Sequence, residues 1–312
     1  MKVTALAGGV GAGKFLRGLV RAVPPTDVTV IVNTADDIRL HGLHISPDVD
    51  SVIYWLAARA DRDRGWGRSH ETWRTIEELR RFGARGAWFG LGDLDMATHL
   101  FRTGLLDRGA TLSQATARIA AAFGVASRVL PMSDDPVQTR LDVVCMGRPE
   151  DLHFQEYWVK RQAADEVKAV RYVGADRARP ARGVVEAIHS ADAVVFPPSN
   201  PVASVGPILA VPGIRDAVAE RRSRAVGVSG IVGGAPLAGM ADKLLPVAGV
   251  EVSAAGVAGM YRDLLSGWVI DGADEHLAAR IRDLGMRVAV TDTIMSSDRA
   301  AESVARAALS LL

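Results

Sequence analysis

Glycines crowd the junction between a short apolar run at the start of the chain and a stretch with helical spacing. They are followed by a lysine, in the order Gly8, Gly9, Gly11, Gly13 and Lys14. At such a junction the backbone N–H groups and the positive end of a helix dipole can face an anion. The sequence therefore predicts that these five residues bind the phosphates of a substrate.

This glycine segment departs from both common nucleotide-binding fingerprints. Residues 8–14 fit the pattern G-x-x-x-x-G-K, but Phe15 stands where a P-loop enzyme carries the Ser or Thr that binds magnesium. The dinucleotide pattern would need a third glycine at Lys14. ATP hydrolysis and NAD binding are therefore disfavoured. A purely structural alternative is that the glycines permit a tight turn and close helix packing.

Carboxylates form two clusters shortly after the glycines. Asn33, Asp36 and Asp37 follow a second apolar run, and Asp48 and Asp50 precede the next helical stretch. In an open α/β sheet, ligands bind beyond the carboxyl ends of the strands, so we expect the clusters to converge there. Such carboxylates suit magnesium together with substrate phosphate oxygens.

The four aspartates have alternative interpretations. Asp50 is predicted either to bind the metal or to accept a proton from the substrate. Asp48 and Asp50 could instead cap a helix, since Asp is favoured in the first turn. Asp36 and Asp37 could be solvated loop residues.

Three further positions carry polar or reactive side chains. Ser199 and Asn200 lie among three prolines after a third apolar run and could donate to a nucleotide, or form a plain turn. His99, on a predicted helix, is more often a hydrogen-bonded core residue than a catalyst. The single cysteine, Cys145, lies in the apolar run 141–146 and is predicted to be a core residue of a buried strand.

The elements that must position these residues follow a strand and helix alternation. Short apolar runs at 3–7, 28–32, 193–196, 225–228 and 288–290 are separated by helical spacing. This pattern predicts a Rossmann-like α/β fold with a mainly parallel sheet flanked by helices, built from both ends of the chain.

Residues 66–125 have mainly helical spacing, over 71–82, 96–106 and 112–123. They are predicted to form a helical insertion or cap over the sheet. No repeat or low-complexity linker divides the chain, so residues 1–312 are predicted to form one α/β domain.

The composition narrows the class of protein further. The 37 basic residues balance 36 acidic ones, which gives no net field for nucleic acid or an anionic membrane. The sequence has no signal peptide and no apolar run of 18 residues, so a cytoplasmic location is expected.

Several long segments resemble one family, the 2-phospho-L-lactate transferases of coenzyme F-420 biosynthesis. The resemblance runs nearly end to end. It is carried by ALAGGVGAGKFL (5–16), VNTADD (32–37), ISPDVDSVIYWL (45–56), LGDLDMATHLFR (91–102), LPMSDDPVQT (130–139), HFQEYWV (153–159), PPSNPVASVGPILAVPG (197–213) and GMADKLLP (239–246).

The resemblance implies a magnesium-dependent transferase that forms a homodimer. It implies a guanosine-diphosphate-activated donor, lactyl- or enolpyruvyl-diphospho-guanosine, whose phosphorylated acid passes to the ribityl hydroxyl of the deazaflavin Fo with release of GMP. The glycines and Ser199–Asn200 would hold the donor, and Lys14, Asn33 and Asp50 are also expected to bind substrate. Asp50, with Asp36, Asp37 or Asp48, would hold the metal and the acceptor hydroxyl.

Two rival functions remain open on the sequence. A non-catalytic nucleotide-sugar-binding regulator of a related family would share the glycine segment, and a P-loop ATPase is disfavoured by Phe15. Under the transferase interpretation, Asp50→Asn is expected to lower turnover far more than it affects folding.

Overall fold

The structure is a computed structural model of residues 1–312, and all of them are described. It contains fourteen strands. In chain order they are β1 (Val3–Ala7), β2 (Val28–Val32), β3 (Ile38–Leu40), β4 (Leu43–Ile45), β5 (Arg128–Pro131), β6 (Gln138–Cys145), β7 (Arg148–His153), β8 (Glu166–Val173), β9 (Ala193–Phe196), β10 (Ala225–Val228), β11 (Ile231–Val232), β12 (Ala235–Pro236), β13 (Gly267–Asp271) and β14 (Arg287–Thr291).

Twelve α-helices connect or cover these strands. They are α1 (Gly9–Ala22), α2 (Pro47–Leu56), α3 (Arg74–Arg81), α4 (Asp93–Leu106), α5 (Leu112–Ala122), α6 (Val184–Ser190), α7 (Gly206–Ala210), α8 (Ile214–Glu220), α9 (Ala241–Val247), α10 (Ala254–Met260), α11 (Ala278–Asp283) and α12 (Asp298–Leu309). No single helix combines the length and apolar character needed to cross a membrane, and one sharply bent pair, Pro201–Ala210 with Ile214–Glu220, meets that test jointly.

Seven strands pair in parallel in the order β14-β13-β10-β9-β1-β2-β5. The chain adds strands outward from β1 in one direction and from β9 in the other. The strand order therefore reverses between β1 and β9, and the carboxyl ends of these two strands border the crevice where such sheets bind ligands. The predicted α/β fold with a parallel sheet built from both chain ends is confirmed.

Both faces of the sheet are buried, because alternate residues of each strand feed two separate clusters. In β1, Val3, Ala5 and Ala7 pack under α1, α5 and α12, whereas Leu6 faces the side of α6, α8, α10 and α11. The strands β13 and β5 were not predicted. The strand predicted at 288–290 is confirmed, but it forms the partly exposed sheet edge rather than a buried strand.

Helix α1 begins at Gly9, only two residues after β1 ends. The predicted glycine loop is therefore mostly the first turns of a helix. A P-loop needs several residues between strand and helix to wrap the phosphates, and no such residues are present here. The P-loop ATPase interpretation is thus wrong on geometry as well as on Phe15.

The last helix packs along the first. A side chain at Gly18 of α1 would overlap the backbone of Ala301 in α12. Arg17 also forms an ion pair with Asp298 at 3.2 Å. The first and last helices of the chain are thereby joined on one face of the sheet.

The insertion differs in part from its prediction. Helices α3 and α4 and the β3–β4 hairpin surround a small core of their own, whereas α5 packs on the main sheet beside β5. A three-stranded antiparallel sheet, β7-β6-β8, was not predicted. Cys145 is the last residue of β6 and is only half-buried beside Arg161, so its prediction as a core residue is wrong.

Candidate active site

A cavity of about 810 Å³ opens at the carboxyl ends of β1, β9 and β10. The segment after each of these strands contributes to its wall, beginning with Gly8, Pro197 and Ser229 respectively. The first turn of α2, part of α4 and the loop between α2 and α3 complete the enclosure. The cavity thus occupies the switch point of the sheet, as the sequence analysis expected.

Asp48 is fixed against the start of α1 by two donors. The Gly9 N–H donates to its Oδ1 at 2.8 Å, and the Asn33 side-chain amide donates to its Oδ2 at 2.9 Å. Asn33 is fully buried and its side-chain oxygen accepts from the Ala35 N–H. Asn33 therefore orients Asp48 from behind and does not line the cavity.

Asp36 lines the cavity near Asp48 and is 3% exposed. Its Oδ1 atom is buried and has no hydrogen-bond partner. Burial, together with the charge of Asp48, raises the pKa of Asp36 well above its usual value. Burial also raises the pKa of Asp48 to about 6. Two neighbouring carboxylates that are costly to ionise, one with an unpartnered oxygen, form a donor set that suits a hard divalent cation.

Asp50 lies two residues after Asp48 in the first turn of α2 but has a different environment. Both of its oxygens accept from the guanidinium of the fully buried Arg102, at 3.0 Å for Oδ2 and at a shorter separation for Oδ1. Asp50 nevertheless lines the cavity, as do His99 and Asp95. One carboxylate oxygen of Asp50, one of Asp95 and one ring nitrogen of His99 lie close together. These three atoms could also bind a metal ion.

Asp37 is not brought into the cavity. Its Oδ2 accepts from the Ser46 hydroxyl at 2.7 Å and lies 2.9 Å from the His44 ring. The structure therefore separates Asp37 from Asp36, although the two are adjacent in sequence.

The glycines at the start of α1 have different surroundings. Gly8 is wedged between Asp48 and Ser204, Gly11 lies against the Pro198 carbonyl, and Gly13 lies against Trp55 outside the cavity. Packing therefore accounts for these three glycines. The N–H groups in the first turn of a helix have no partner within the helix, and Val10 and Gly11 in that turn line the cavity. Lys14 also lines it, with its ammonium 6.0 Å from the Trp55 ring centroid.

The segment after β9 lies beside Asp48 and forms another part of the cavity wall. The Ser199 hydroxyl accepts from the Gly8 N–H at 3.3 Å. The Asn200 side-chain oxygen accepts from the N–H groups of Val202 and Ala203, so Asn200 caps the turn that follows. Ser199 and Asn200 both line the cavity, and Asn200 also has the structural role that the sequence analysis left open.

The opening of the cavity is aromatic. Trp66 and Trp158 line it and are 43% and 38% exposed, and the exposed Leu237 and Ile294 line it as well. Phe89 and Phe154 are further aromatic residues of the cavity wall. Trp66 packs edge to face on Trp73, with the Arg64 guanidinium over both rings. Large exposed tryptophans beside a cavity suit the stacking of a planar ligand.

Comparison with known proteins places this geometry in a family. The family model for the 2-phospho-L-lactate transferase CofD matches residues 3–307, which is almost the whole chain. The chain belongs to the CofD family.

Members of the CofD family from several organisms share the full length of the chain. A phosphoenolpyruvate transferase from Kitasatospora aureofaciens is 49% identical over 100% of this chain and 98% of its own length. One from Mycolicibacterium smegmatis is 40% identical with the same coverage. A 2-phospho-L-lactate transferase from Methanosarcina acetivorans is 38% identical over 96% of this chain and 95% of its own. The protein is a transferase of the CofD family.

Solved structures agree on the fold. A UPF0052 family protein from Bacillus halodurans superposes with a TM-score of 0.64 at 18% identity, covering 98% of each chain. At that identity the similarity concerns the α/β architecture alone.

Sequence reasoning missed several residues that line the cavity of this CofD family member. They include Tyr54, Arg64, Trp66, Asp95 and Trp158. The motif LGDLDMATHLFR contains Asp95, His99 and Arg102 at helical spacing, which places them on one face of α4. That spacing was the available signal for this part of the site. Nothing in the sequence indicated that the loop carrying Trp66 would reach the cavity.

Proposed function

We propose that this transferase passes a phosphoenolpyruvyl or phospholactyl group from a guanosine-diphosphate-activated donor to the deazaflavin Fo, releasing GMP. The ribityl hydroxyl oxygen forms a bond to the phosphorus next to the three-carbon acid, the bond to the GMP oxygen breaks, and the hydroxyl proton is released. One observation carries the proposal: a single cavity contains the Asp36–Asp48 pair, the start of α1 and an aromatic opening.

Asp36 and Asp48 are the residues that would hold magnesium. The unpartnered Asp36 oxygen and the raised pKa values of both carboxyl groups fit a divalent cation. When bound, magnesium would neutralise charge on the donor's diphosphate. A cation is needed here because the Asp48 carboxylate already occupies the Gly9 N–H and would otherwise repel a phosphate.

The donor would lie along the start of α1. Val10, Gly11, Lys14 and Ser199 line this part of the cavity. The backbone N–H groups of the first two, the Lys14 ammonium and the Ser199 hydroxyl would be the donors to the diphosphate. These groups would orient the diphosphate and disperse the charge that develops on it, so that catalysis rests on alignment and electrostatics.

The acceptor would enter through the aromatic opening. The tricyclic ring of Fo would stack against Trp66 and Trp158, and its ribityl chain would extend inward to Asp50. Asp50, held on one side by Arg102, would orient the attacking hydroxyl and accept its hydrogen bond.

The identity of the three-carbon acid is proposed from the relatives. Those between 40% and 49% identical that carry the name phosphoenolpyruvate transferase are nearer to this chain than the 38% identical 2-phospho-L-lactate transferase. This order favours the enolpyruvyl donor.

Fluorescence titration of the purified protein with Fo, with and without magnesium, tests the proposal. Each guanosine-activated donor is then added, and chromatography separates the phosphorylated deazaflavin from GMP. Fo binding with both products formed, faster from the enolpyruvyl donor, is the expected result. Nucleotide binding without Fo binding or turnover would instead support the nucleotide-sugar-binding regulator.

A further inference from the structure

Helix α4 buries an unusual polar face. Asp95, His99 and Arg102 lie at positions i, i+4 and i+7, and they are 8%, 1% and 0% exposed. Burying charged groups is costly unless they are paired and hydrogen-bonded. The buried polar groups of α4 therefore need an ion-pair partner. Asp50 on α2 is that partner, since it pairs with Arg102.

Three of the four acceptors of Arg102 belong to the site, and its Nε atom is buried without a partner. Its two terminal nitrogens donate to the two oxygens of Asp50, and one of them also donates to His99 Nδ1 at 3.2 Å and to the His44 carbonyl at 3.4 Å. Burial alone would lower the pKa of Arg102, but the Asp50 carboxylate outweighs it and raises that pKa. The guanidinium therefore stays charged behind the cavity wall.

The contact with Arg102 also sets the orientation of His99. An arginine N–H can only donate, so His99 Nδ1 must accept and the ring proton lies on Nε2. That nitrogen lies 3.4 Å from Asp95 Oδ2, and Asp95 accepts from the Tyr54 hydroxyl at 2.6 Å. Arg102 thus fixes two of the residues that face the cavity, although it does not line the cavity itself.

We propose that Arg102 is a positioning residue for the transfer, which holds the Asp50 carboxylate in the orientation that receives the acceptor hydroxyl. The inference rests on the proposed role of Asp50. A planar guanidinium that binds both carboxylate oxygens fixes the rotation of the carboxylate, which a single ammonium does not. Misplacing a catalytic group by about 1 Å can cost on the order of 100-fold in rate.

The experiment compares Arg102→Lys with Arg221→Lys. Arg221 also donates to a backbone carbonyl, that of Ala191, but lies outside the cavity wall. Turnover is expressed per donor-binding site, counted by titration of each preparation with GDP, so that unfolded protein does not enter the comparison. We expect kcat to fall about 100-fold in Arg102→Lys, with KM for the donor within about threefold of wild type. Arg221→Lys keeps the wild-type kcat.

A double-mutant cycle separates positioning from a general structural effect. If Arg102 acts through Asp50, Arg102→Lys lowers kcat little further in the Asp50→Asn background. The inference would be overturned if Arg102→Lys kept the wild-type kcat per site, or if Arg102→Lys and Asp50→Asn lowered kcat by factors that multiply. Loss of donor binding in Arg102→Lys would overturn it as well. Failure of the wild-type protein to transfer at all would refute the proposed function instead.

Discussion

Replacing Gly11 by alanine tests whether the contact between α1 and the segment after β9 builds the cavity. A Cβ atom at Gly11 would come closer than 3.0 Å to the Pro198 backbone carbonyl, a separation that real Cβ atoms do not show. Alanine is favoured over glycine inside a helix by up to about 1 kcal/mol. Relieving such an overlap costs about 1–3 kcal/mol, because backbone has to move. With the full helix-propensity gain, the net expected loss of unfolding free energy is therefore about 0–2 kcal/mol.

Gly259 provides a matched control, since it also lies in a helix and no atom lies near its added Cβ. An unfolding entropy of about 2.1 cal/mol/K per residue gives roughly 0.65 kcal/mol/K for this chain, so 1 kcal/mol shifts Tm by about 1.5 °C. Gly11→Ala is expected to lower Tm by up to about 3 °C and to lower kcat/KM about 100-fold through displacement of Ser199. Gly259→Ala is expected to raise Tm by about 1 °C with unchanged turnover.

Differential scanning calorimetry and the transfer assay measure both quantities on the same preparations. If Gly11→Ala gained stability as Gly259→Ala does, or kept full turnover, then the close approach of Pro198 to α1 would not shape the site. The reasoning from packing would then be wrong.

Three further predictions concern the site. Because the pKa of Asp48 is about 6, that of Asp36 is also raised, and magnesium needs both groups ionised, magnesium affinity measured by calorimetry should fall at least about tenfold per pH unit below 6. The folded-state pKa of Asp36 lies above its unfolded value, so ionisation of Asp36 opposes folding at neutral pH. Asp36→Asn should therefore raise Tm in EDTA at pH 7.5. The same substitution should abolish the Tm increase caused by magnesium. Trp66→Ala should raise KM for Fo about tenfold, through a loss of roughly 1.4 kcal/mol of stacking, without changing donor affinity.

These predictions fail on distinct outcomes. Magnesium affinity that is constant between pH 5 and 7.5 would remove Asp48 from the metal site. A magnesium-dependent Tm increase that persists in Asp36→Asn would remove Asp36. An equal rise in KM for Fo on replacing Phe82, which is 79% exposed and outside the cavity, would show that the Trp66 effect is not specific.

The environment of Asp50 changes one expectation drawn from the sequence. Asp50→Asn was expected to affect turnover far more than folding, but it would leave the buried Arg102 without its carboxylate partner. Removing one member of a buried ion pair typically costs about 3–5 kcal/mol. We therefore expect Asp50→Asn to lower stability as well as turnover, and both should be measured.

The strands of the main sheet were the most predictable part of the fold. Runs such as 28–32 and 193–196 are short, almost wholly apolar and bounded by polar or turn residues, which is typical of parallel strands buried on both faces. The general rule for ligand sites in such sheets then placed Asp36, Asp48 and Ser199 at one edge. This much follows from local pattern alone.

The rest depended on contacts between distant segments. Glycine has a low helix propensity, so the start of α1 at Gly9 contradicted local propensity. Glycine is required in this part of α1 because Pro198 approaches Gly11 and Trp55 approaches Gly13. Arg102 gave no sign of its partner, because Asp50 is 52 residues away and the ion pair forms only when α4 packs on α2. Local pattern carries no information about such pairs.

The junction of α1 with α12 bears on how the protein is made. All the carboxylates of the cavity except Asp95 lie within the first 50 residues. The part of the wall formed by the end of β9 and the segment after it begins only at residue 196, and the helix that packs along α1 begins at Asp298. Strand β1 pairs with β9 across some 190 positions, and such distant pairing is slow to form. For most of its synthesis, a growing chain on the ribosome therefore contains the acidic residues of the cavity but not the segments that complete its wall. Ligand can bind only after nearly the entire polypeptide has left the ribosome.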